Sequence, residues 1–202
     1  MTVRVLLAED QTMVRGALSA LLSLEDDIEV VAEASRGDEV VPKALGSLPD
    51  VALLDIEMPG GDGLLAAAAL KDRLPGCRVV ILTTFGRAGY LKRAIESGAA
   101  GFMLKDAPPE QLASAVRKVA NGERVVDPDL AASALSEGEN PLTERERDVL
   151  AASEDGATVR EVSETLYLSE GTVRNYLSTA IKKLGARNRV EAARLAERKG
   201  WL

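Results

Sequence analysis

Three carboxylates, one hydroxyl and one ammonium fall at the ends of apolar runs in the first half of the chain. Glu9 and Asp10 follow Val3–Ala8, Asp55 closes Val51–Asp55, Thr83 closes residues 79–83, and Lys105 follows Gly101–Leu104. If those runs are strands of one parallel sheet, all five side chains meet at one edge. Three carboxylates in one cleft repel unless one is protonated or a hard cation sits among them, and an all-oxygen donor set suits Mg²⁺. A hydroxyl and an ammonium beside such a site make a receptacle for a phosphoryl group. Lys105 and Mg²⁺ would neutralise its oxygens, Thr83 would donate a hydrogen bond, and Asp55 would be the nucleophile. Each residue alone has an ordinary reading: a helix-capping aspartate, a solvated lysine, a strand-filling threonine. Their joint placement at successive strand ends carries the argument.

The elements that must position them repeat a βα alternation five times. Strands are expected at Val3–Ala8, Ile28–Ala34, Val51–Asp55, 79–83 and Gly101–Leu104. The runs are apolar throughout, which suits strands buried on both faces of a parallel sheet sandwiched by helices. In such sheets, function sits at the strand C-termini. Helices should begin near Gln11, Asp38, Gly63, Arg87 and Pro109, and the first carries an apolar stripe of Met13, Val14, Ala17, Leu18, Leu21 and Leu22. Pro42 is tolerable if Asp38 caps the second helix, which places the proline in the first turn.

After Asn121-Gly122 the alternation stops. Residues 1–121 therefore read as one domain, 122–141 as a connector, and 142–202 as a smaller, all-helical domain. In the latter, Thr143 and Glu146 form a capping box, and a second helical stretch covers 158–167. Ser169 can cap a third helix carrying Val173, Leu177, Ile181 and Leu184, Gly185 stops it, and a fourth helix covers 189–198. Two helices joined by a short turn, the second basic, make a helix-turn-helix candidate. On its second helix Arg174 and Asn175 should face base edges, whereas Thr172, Lys182 and Lys183 should hold phosphates.

Composition narrows the function classes. Of 202 residues, 46% are hydrophobic and 28% charged, an ordinary globular balance. The absence of histidine excludes histidine-paired nucleophiles and His-containing zinc sites, and the single cysteine, Cys77, cannot form an internal disulfide or a CxxC pair. Net charge is −7, yet residues 169–202 hold eight basic against three acidic side chains, so a basic tail follows an acidic body. The N-terminus lacks a signal-peptide pattern, and the longest apolar run, 64–70, is far below the roughly 20 residues of a membrane-spanning helix. A cytoplasmic location is expected.

Residues 1–121 resemble the receiver domain of two-component response regulators. The resemblance lies in Leu7-Ala8-Glu9-Asp10, Leu54-Asp55-Ile56-Glu57-Met58-Pro59-Gly60-Gly61-Asp62-Gly63, Val80-Ile81-Leu82-Thr83-Thr84 and Gly101-Phe102-Met103-Leu104-Lys105. It implies a doubly wound, flavodoxin-like α/β fold with a five-stranded parallel sheet. It also implies Asp55 as phosphoacceptor, Glu9 and Asp10 as the acidic pair holding Mg²⁺, the Glu57 main-chain carbonyl as a further ligand, Thr83 and Lys105 as phosphoryl contacts, and Phe102 as a switch aromatic. The tail resembles the LuxR-type helix-turn-helix through Leu142-Thr143-Glu144-Arg145-Glu146, Leu168-Ser169-Glu170-Gly171-Thr172-Val173-Arg174-Asn175-Tyr176 and Ile181-Lys182-Lys183-Leu184-Gly185. Together they make the chain similar to the NarL/FixJ subfamily. Residues 171–176 and the ending Lys199-Gly200-Trp201-Leu202 are more faintly similar to DesR-type regulators of membrane-lipid desaturation.

The resemblance implies a transcriptional regulator that a sensor histidine kinase phosphorylates on Asp55, after which it dimerises and binds double-stranded DNA. Its receiver would catalyse only its own phosphorylation and dephosphorylation. The dimer surface would be the face around the fourth strand and helix, or the first and fifth helices. On the latter, Val14, Leu18, Leu112, Val116 and Val119 read either as contact residues or as core. Two departures stand out: Asp106 follows Lys105 where the family has proline, and Glu57 adds a carboxylate beside the acceptor. Two rival readings remain. Phosphatases of the haloacid-dehalogenase type also pair an aspartate nucleophile with Mg²⁺, but need a second aspartate where Glu57 stands. A phosphorylation-independent regulator would keep the receiver only as a scaffold.

Overall fold

The computed structural model describes residues 2–84, 88–128, 130–131, 140–153 and 156–202. The chain divides into two compact units, the first Met1–Gly86 with Leu91–Ala131 and the second mainly Ala132–Leu202. In the first, strands β1 (Val3–Ala8), β2 (Ile28–Ala34), β3 (Val51–Asp55), β4 (Arg78–Thr83), β5 (Gly101–Leu104) and β6 (Val125–Val126) form one sheet in the order β2-β1-β3-β4-β5-β6. Every pairing is parallel. Helices α1 (Thr12–Leu22), α2 (Gly37–Ser47), α3 (Gly63–Arg73), α4 (Ala88–Glu96) and α5 (Pro109–Ala120) connect the strands. The central strands are buried on both faces: Val51, Ala52, Leu53 and Leu54 have no exposed surface. That burial explains why β3 reads as an unbroken apolar run rather than an alternating one.

The alternation is thus recovered, with differences. The sheet has six strands rather than five, and the sixth lies in the stretch read as connector. A two-residue strand is too short to show any periodicity, and its pairing with Gly101 and Phe102 comes from tertiary contact alone. The expected start of α4 at Arg87 and most of 129–139 lie outside the described residues. Leu18, Leu112, Val116 and Val119 belong to the core between the sheet and helices α1 and α5, and the partly buried Val14 packs against it; Val116 and Val119 are wholly buried, so they offer no dimer surface. Among the described residues no peptide bond is cis, consistent with Asp106 in place of proline.

Pro42 departs from its expected position. The cap is Arg36, not Asp38, so Pro42 is the sixth residue of α2 and cannot donate to the Asp38 carbonyl one turn back. A proline there forfeits a helix hydrogen bond and crowds that carbonyl. Pro42→Ala should therefore raise unfolding free energy by about 1 kcal/mol, the gain being reduced by the greater freedom of the unfolded chain. Urea midpoints of the receiver transition measure this; an unchanged or lower midpoint would show that α2 already accommodates the ring.

The second unit contains α6 (Glu144–Ala151), α7 (Val159–Thr165), α8 (Glu170–Leu184) and α9 (Arg189–Arg198). Its core joins Val149, Leu150, Val162, Val173, Leu177 and Ala196. Each helix opens on a side-chain cap: Thr143 and Thr158 form full capping boxes with Glu146 and Glu161, and Ser169 and Asn188 accept from the backbone N–H of the third residue of their helices, Thr172 and Glu191. Gly185 ends α8 with φ 64°, in the left-handed region where glycine carries no steric cost.

Candidate functional site

Parallel pairing in register brings the ends of β1, β3, β4 and β5 to one edge, and the five predicted side chains gather there. Glu9, Asp10 and Asp55 each offer an oxygen, all within 4.8 Å of one another. The Lys105 Nζ lies 2.7 Å from Glu9 Oε2 and 2.9 Å from Asp55 Oδ2, an ion triad whose side chains are at most 10% exposed. The other oxygens are held by the main chain: Gln11 N–H donates to Glu9 Oε1 at 3.2 Å, and Ile56 N–H donates to Asp55 Oδ1 at 2.8 Å. A cleft of about 200 Å³ opens over Asp10, Asp55, Glu57, Thr83 and Thr84, so the acceptor carboxylate has room in front of it. Lys105 is placed by its own backbone N–H, which donates to the Thr83 carbonyl at 2.9 Å.

The loop after Asp55 needs its glycines. Gly60 has φ 79°, and a Cβ on Gly63 would stand 1.9 Å from the Asp55 carbonyl oxygen. Gly63 also donates its N–H to the Ile56 carbonyl at 2.9 Å, closing the loop on itself beneath the cleft. Asp62 caps α3 by accepting from Leu64 N–H and pairs with Arg93 on α4 at 3.0 Å.

Electrostatics at the site oppose full ionisation. Burial, and then the Lys105 contacts working against it, leave the Asp55 carboxyl above its ordinary range, with Asp10 adding repulsion. Burial likewise raises Glu9, and the neighbouring Asp55 charge adds to it. Burial works against the Lys105 ammonium, but its hydrogen bonds to Glu9 and Asp55 outweigh that and raise it. One lysine thus faces three carboxylates, a deficit of positive charge. Their hard oxygens, close spacing and open cleft fit a small divalent cation such as Mg²⁺. Phe102, on β5, is buried at 1% exposure.

In the second unit, Arg174, Asn175, Lys182 and Lys183 lie on the solvent face of α8, opposite Val173, Leu177 and Ala180. They are not equivalent. The Arg174 guanidinium pairs with Glu170 at 2.6 Å, and the Thr172 hydroxyl bonds Ser169 Oγ at 2.8 Å. Lys183 Nζ lies 2.7 Å from Glu146 Oε2, and Glu146 is buried while completing the α6 capping box. Burial opposes the Glu146 charge, but Lys183 and Thr143 outweigh it and hold the carboxyl below its ordinary range. Sequence reading missed this tie because its partners are 37 positions apart.

Residues 5–117 match the family model described as the response regulator receiver domain, and residues 140–196 match that of the luxR family of bacterial regulatory proteins. The transcriptional regulatory protein DesR of Bacillus subtilis (strain 168) is 48% identical over 199 residues, covering 98% of each chain. The response regulator RamR of Streptomyces coelicolor is 41% identical over 200 residues, again 98% of each. The crystal structure of ChrA, the response regulator of a heme-sensing two-component system, aligns with a TM-score of 0.60 at 36% identity, covering 100% of this chain and 99% of its own. The chain therefore belongs to the response regulators of the NarL/FixJ subfamily: a receiver joined to a LuxR-type DNA-binding domain, the architecture of two-component transcriptional regulators. No helix among the described residues is long and apolar enough to cross a membrane.

Proposed function

We propose that Asp55 accepts a phosphoryl group from a sensor-kinase phosphohistidine and that the added charge drives dimerisation and operator binding through α8. The observation that carries this reading is the Lys105 ammonium seated between Glu9 and Asp55, with an open cleft in front of Asp55. An Asp55 oxygen attacks phosphorus; the O–P bond forms as the N–P bond breaks, and the electron pair returns to the donor imidazole, which takes up a proton. Lys105 neutralises the phosphoryl oxygens, and the Thr83 hydroxyl at the adjoining strand end donates to them. Glu9, Asp10, Asp55 and the Glu57 main-chain carbonyl would hold Mg²⁺, which when bound would supply the remaining positive charge. The chain supplies positioning and charge, which suits a single self-modification rather than turnover.

Sedimentation velocity tests the reading. With Mg²⁺ and beryllofluoride, a phosphoryl mimic, wild type should pass from monomer to dimer and Asp55→Ala should not. If neither protein shifts, or both are dimers beforehand, control by dimerisation fails, and DNA binding of the untreated protein decides whether the receiver acts as a phosphorylation-independent scaffold.

On α8, the Glu146 tie separates the two lysines. Lys182→Ala should lower the log–log salt slope of DNA binding by about one per subunit, the mark of a lost phosphate contact. Lys183→Ala should instead lower the unfolding midpoint of the second domain, because Glu146 is left buried without its cation. Equal loss of salt slope in both variants would return Lys183 to the phosphate contacts.

A further inference from the structure

The geometry points to Arg15 as a positioning residue for the magnesium-binding turn, an inference that rests on the phosphoacceptor reading above. Arg15 lies on α1, away from the cleft lining, with its side chain 17% exposed. Its Nη1 donates to the Glu9 main-chain carbonyl at 2.6 Å, and its Nε stands 3.4 Å from Glu33 Oε2 on β2. The other Glu33 oxygen accepts from the Ser19 hydroxyl at 2.9 Å, so two side chains one turn apart on α1 hold the carboxylate through both its oxygens. One guanidinium therefore ties the end of β1 to its neighbouring strand.

The carbonyl it grips is the informative one. The Glu9 N–H makes the last rung to β2, donating to the Ala34 carbonyl at 3.0 Å, and regular pairing stops there. The next peptide, between Glu9 and Asp10, sets where the Asp10 carboxylate projects. The usual anchor for such a strand-to-helix turn is a side-chain cap, but Gln11, at the cap of α1, makes none, and the first turn of α1 has no acidic residue. Two bonds replace it: the Gln11 N–H on the Glu9 side chain and Arg15 on the Glu9 carbonyl. The first orients Glu9. Only the second fixes the plane of the peptide that carries Asp10. Groups one shell behind metal ligands commonly change metal affinity by about 10- to 100-fold when removed. Arg15 occupies that shell through a main-chain carbonyl.

The test is calorimetric titration of MgCl₂ into the full chain, well below its unfolding midpoint, for wild type, Arg15→Met, Arg15→Lys and Glu33→Gln. Arg15→Met should weaken Mg²⁺ binding by about tenfold. Arg15→Lys, whose ammonium can still donate to the Glu9 carbonyl, should recover most of that loss, and Glu33→Gln should fall between. With acetyl phosphate as donor, Arg15→Met should need more Mg²⁺ for half-maximal labelling yet approach the wild-type plateau. Wild-type Mg²⁺ affinity in Arg15→Met overturns the inference. So does a loss in Arg15→Met that Arg15→Lys fails to recover, because Arg15 would then serve stability alone. If wild type itself takes up neither Mg²⁺ nor phosphoryl group, the phosphoacceptor reading falls, and this inference falls with it.

Discussion

Lys105→Met is expected to slow phosphoryl uptake by about 10²-fold or more, the usual cost of removing one charged donor from a group-transfer site. The same change should destabilise the receiver, and the pH dependence identifies the cause. The Lys105 ammonium is the cation at 2.7 and 2.9 Å from two carboxylates buried to 6% exposure or less, and breaking a buried ion pair typically costs about 3 kcal/mol or more. Glu9 and Asp55 titrate above their ordinary values of 4.5 and 3.8, with burial the leading cause and Lys105 restraining the rise. Their raised values mean that their contribution to stability is full below those ordinary values. It is lost as pH rises through the folded ones. Removing the lysine raises the folded values further. Urea midpoints of the two proteins should therefore converge near pH 4 and separate towards pH 7. The raised Lys105 value acts in its own window: the stability it adds is present below 10.5 and is lost as pH climbs through the higher folded value. A gap between wild type and Lys105→Met that stayed constant from pH 4 to 7 would mean that lost packing of the lysine stem, not its charge, sets the cost. Mg²⁺ should bind the variant more tightly than wild type, because the cation it must share the carboxylates with has gone.

How much of this was legible in sequence depends on range. The strand ends that carry Glu9, Asp55, Thr83 and Lys105 were readable because each closes an apolar run, and parallel topology then leaves them only one edge to share. The capping box of Thr143 and Glu146 was readable because its parts lie three positions apart and both bonds are local. Arg15 was not. A single arginine on an amphipathic helix looks like a solvated charge until β2 is seen to pair beside β1 and bring Glu33 within reach. The tie made by Lys183 was hidden for the same reason. Its charge suggested a phosphate contact, and only the folding of α6 against α8 brings Glu146 to it as an intramolecular partner. Pro42 shows the converse case, where a local rule gave the wrong frame. A proline expected in the first turn sits in the second, since α2 starts at Gly37 and packing of Val40 and Ala44 outweighs the lost bond.

Arg174→Ala is expected to cost more in discrimination than in affinity for DNA at large. Arg174 sits one turn into α8, where a recognition helix meets base edges, and its guanidinium is presented at the surface by a 2.6 Å pair with Glu170. An arginine that meets a guanine edge with two parallel donors is worth about 1–3 kcal/mol against the wrong base, so a dimer reading two half-sites would lose about 2–6 kcal/mol. That is about 30-fold at the low end and more than 10⁴-fold at the high end in the ratio of operator to random DNA. Binding to random DNA should change far less, because phosphate charge supplies it and Lys182 keeps its place on the exposed face. The surface pair with Glu170 adds little to stability, so the variant should unfold at nearly the wild-type midpoint. Fluorescence titrations of the beryllofluoride-activated protein on operator and scrambled duplexes, run across a salt series, separate the two terms. Undiminished discrimination by Arg174→Ala would remove Arg174 from the base-reading positions and leave Asn175 as the next candidate on the same face. A parallel fall on both duplexes would assign Arg174 to phosphate instead.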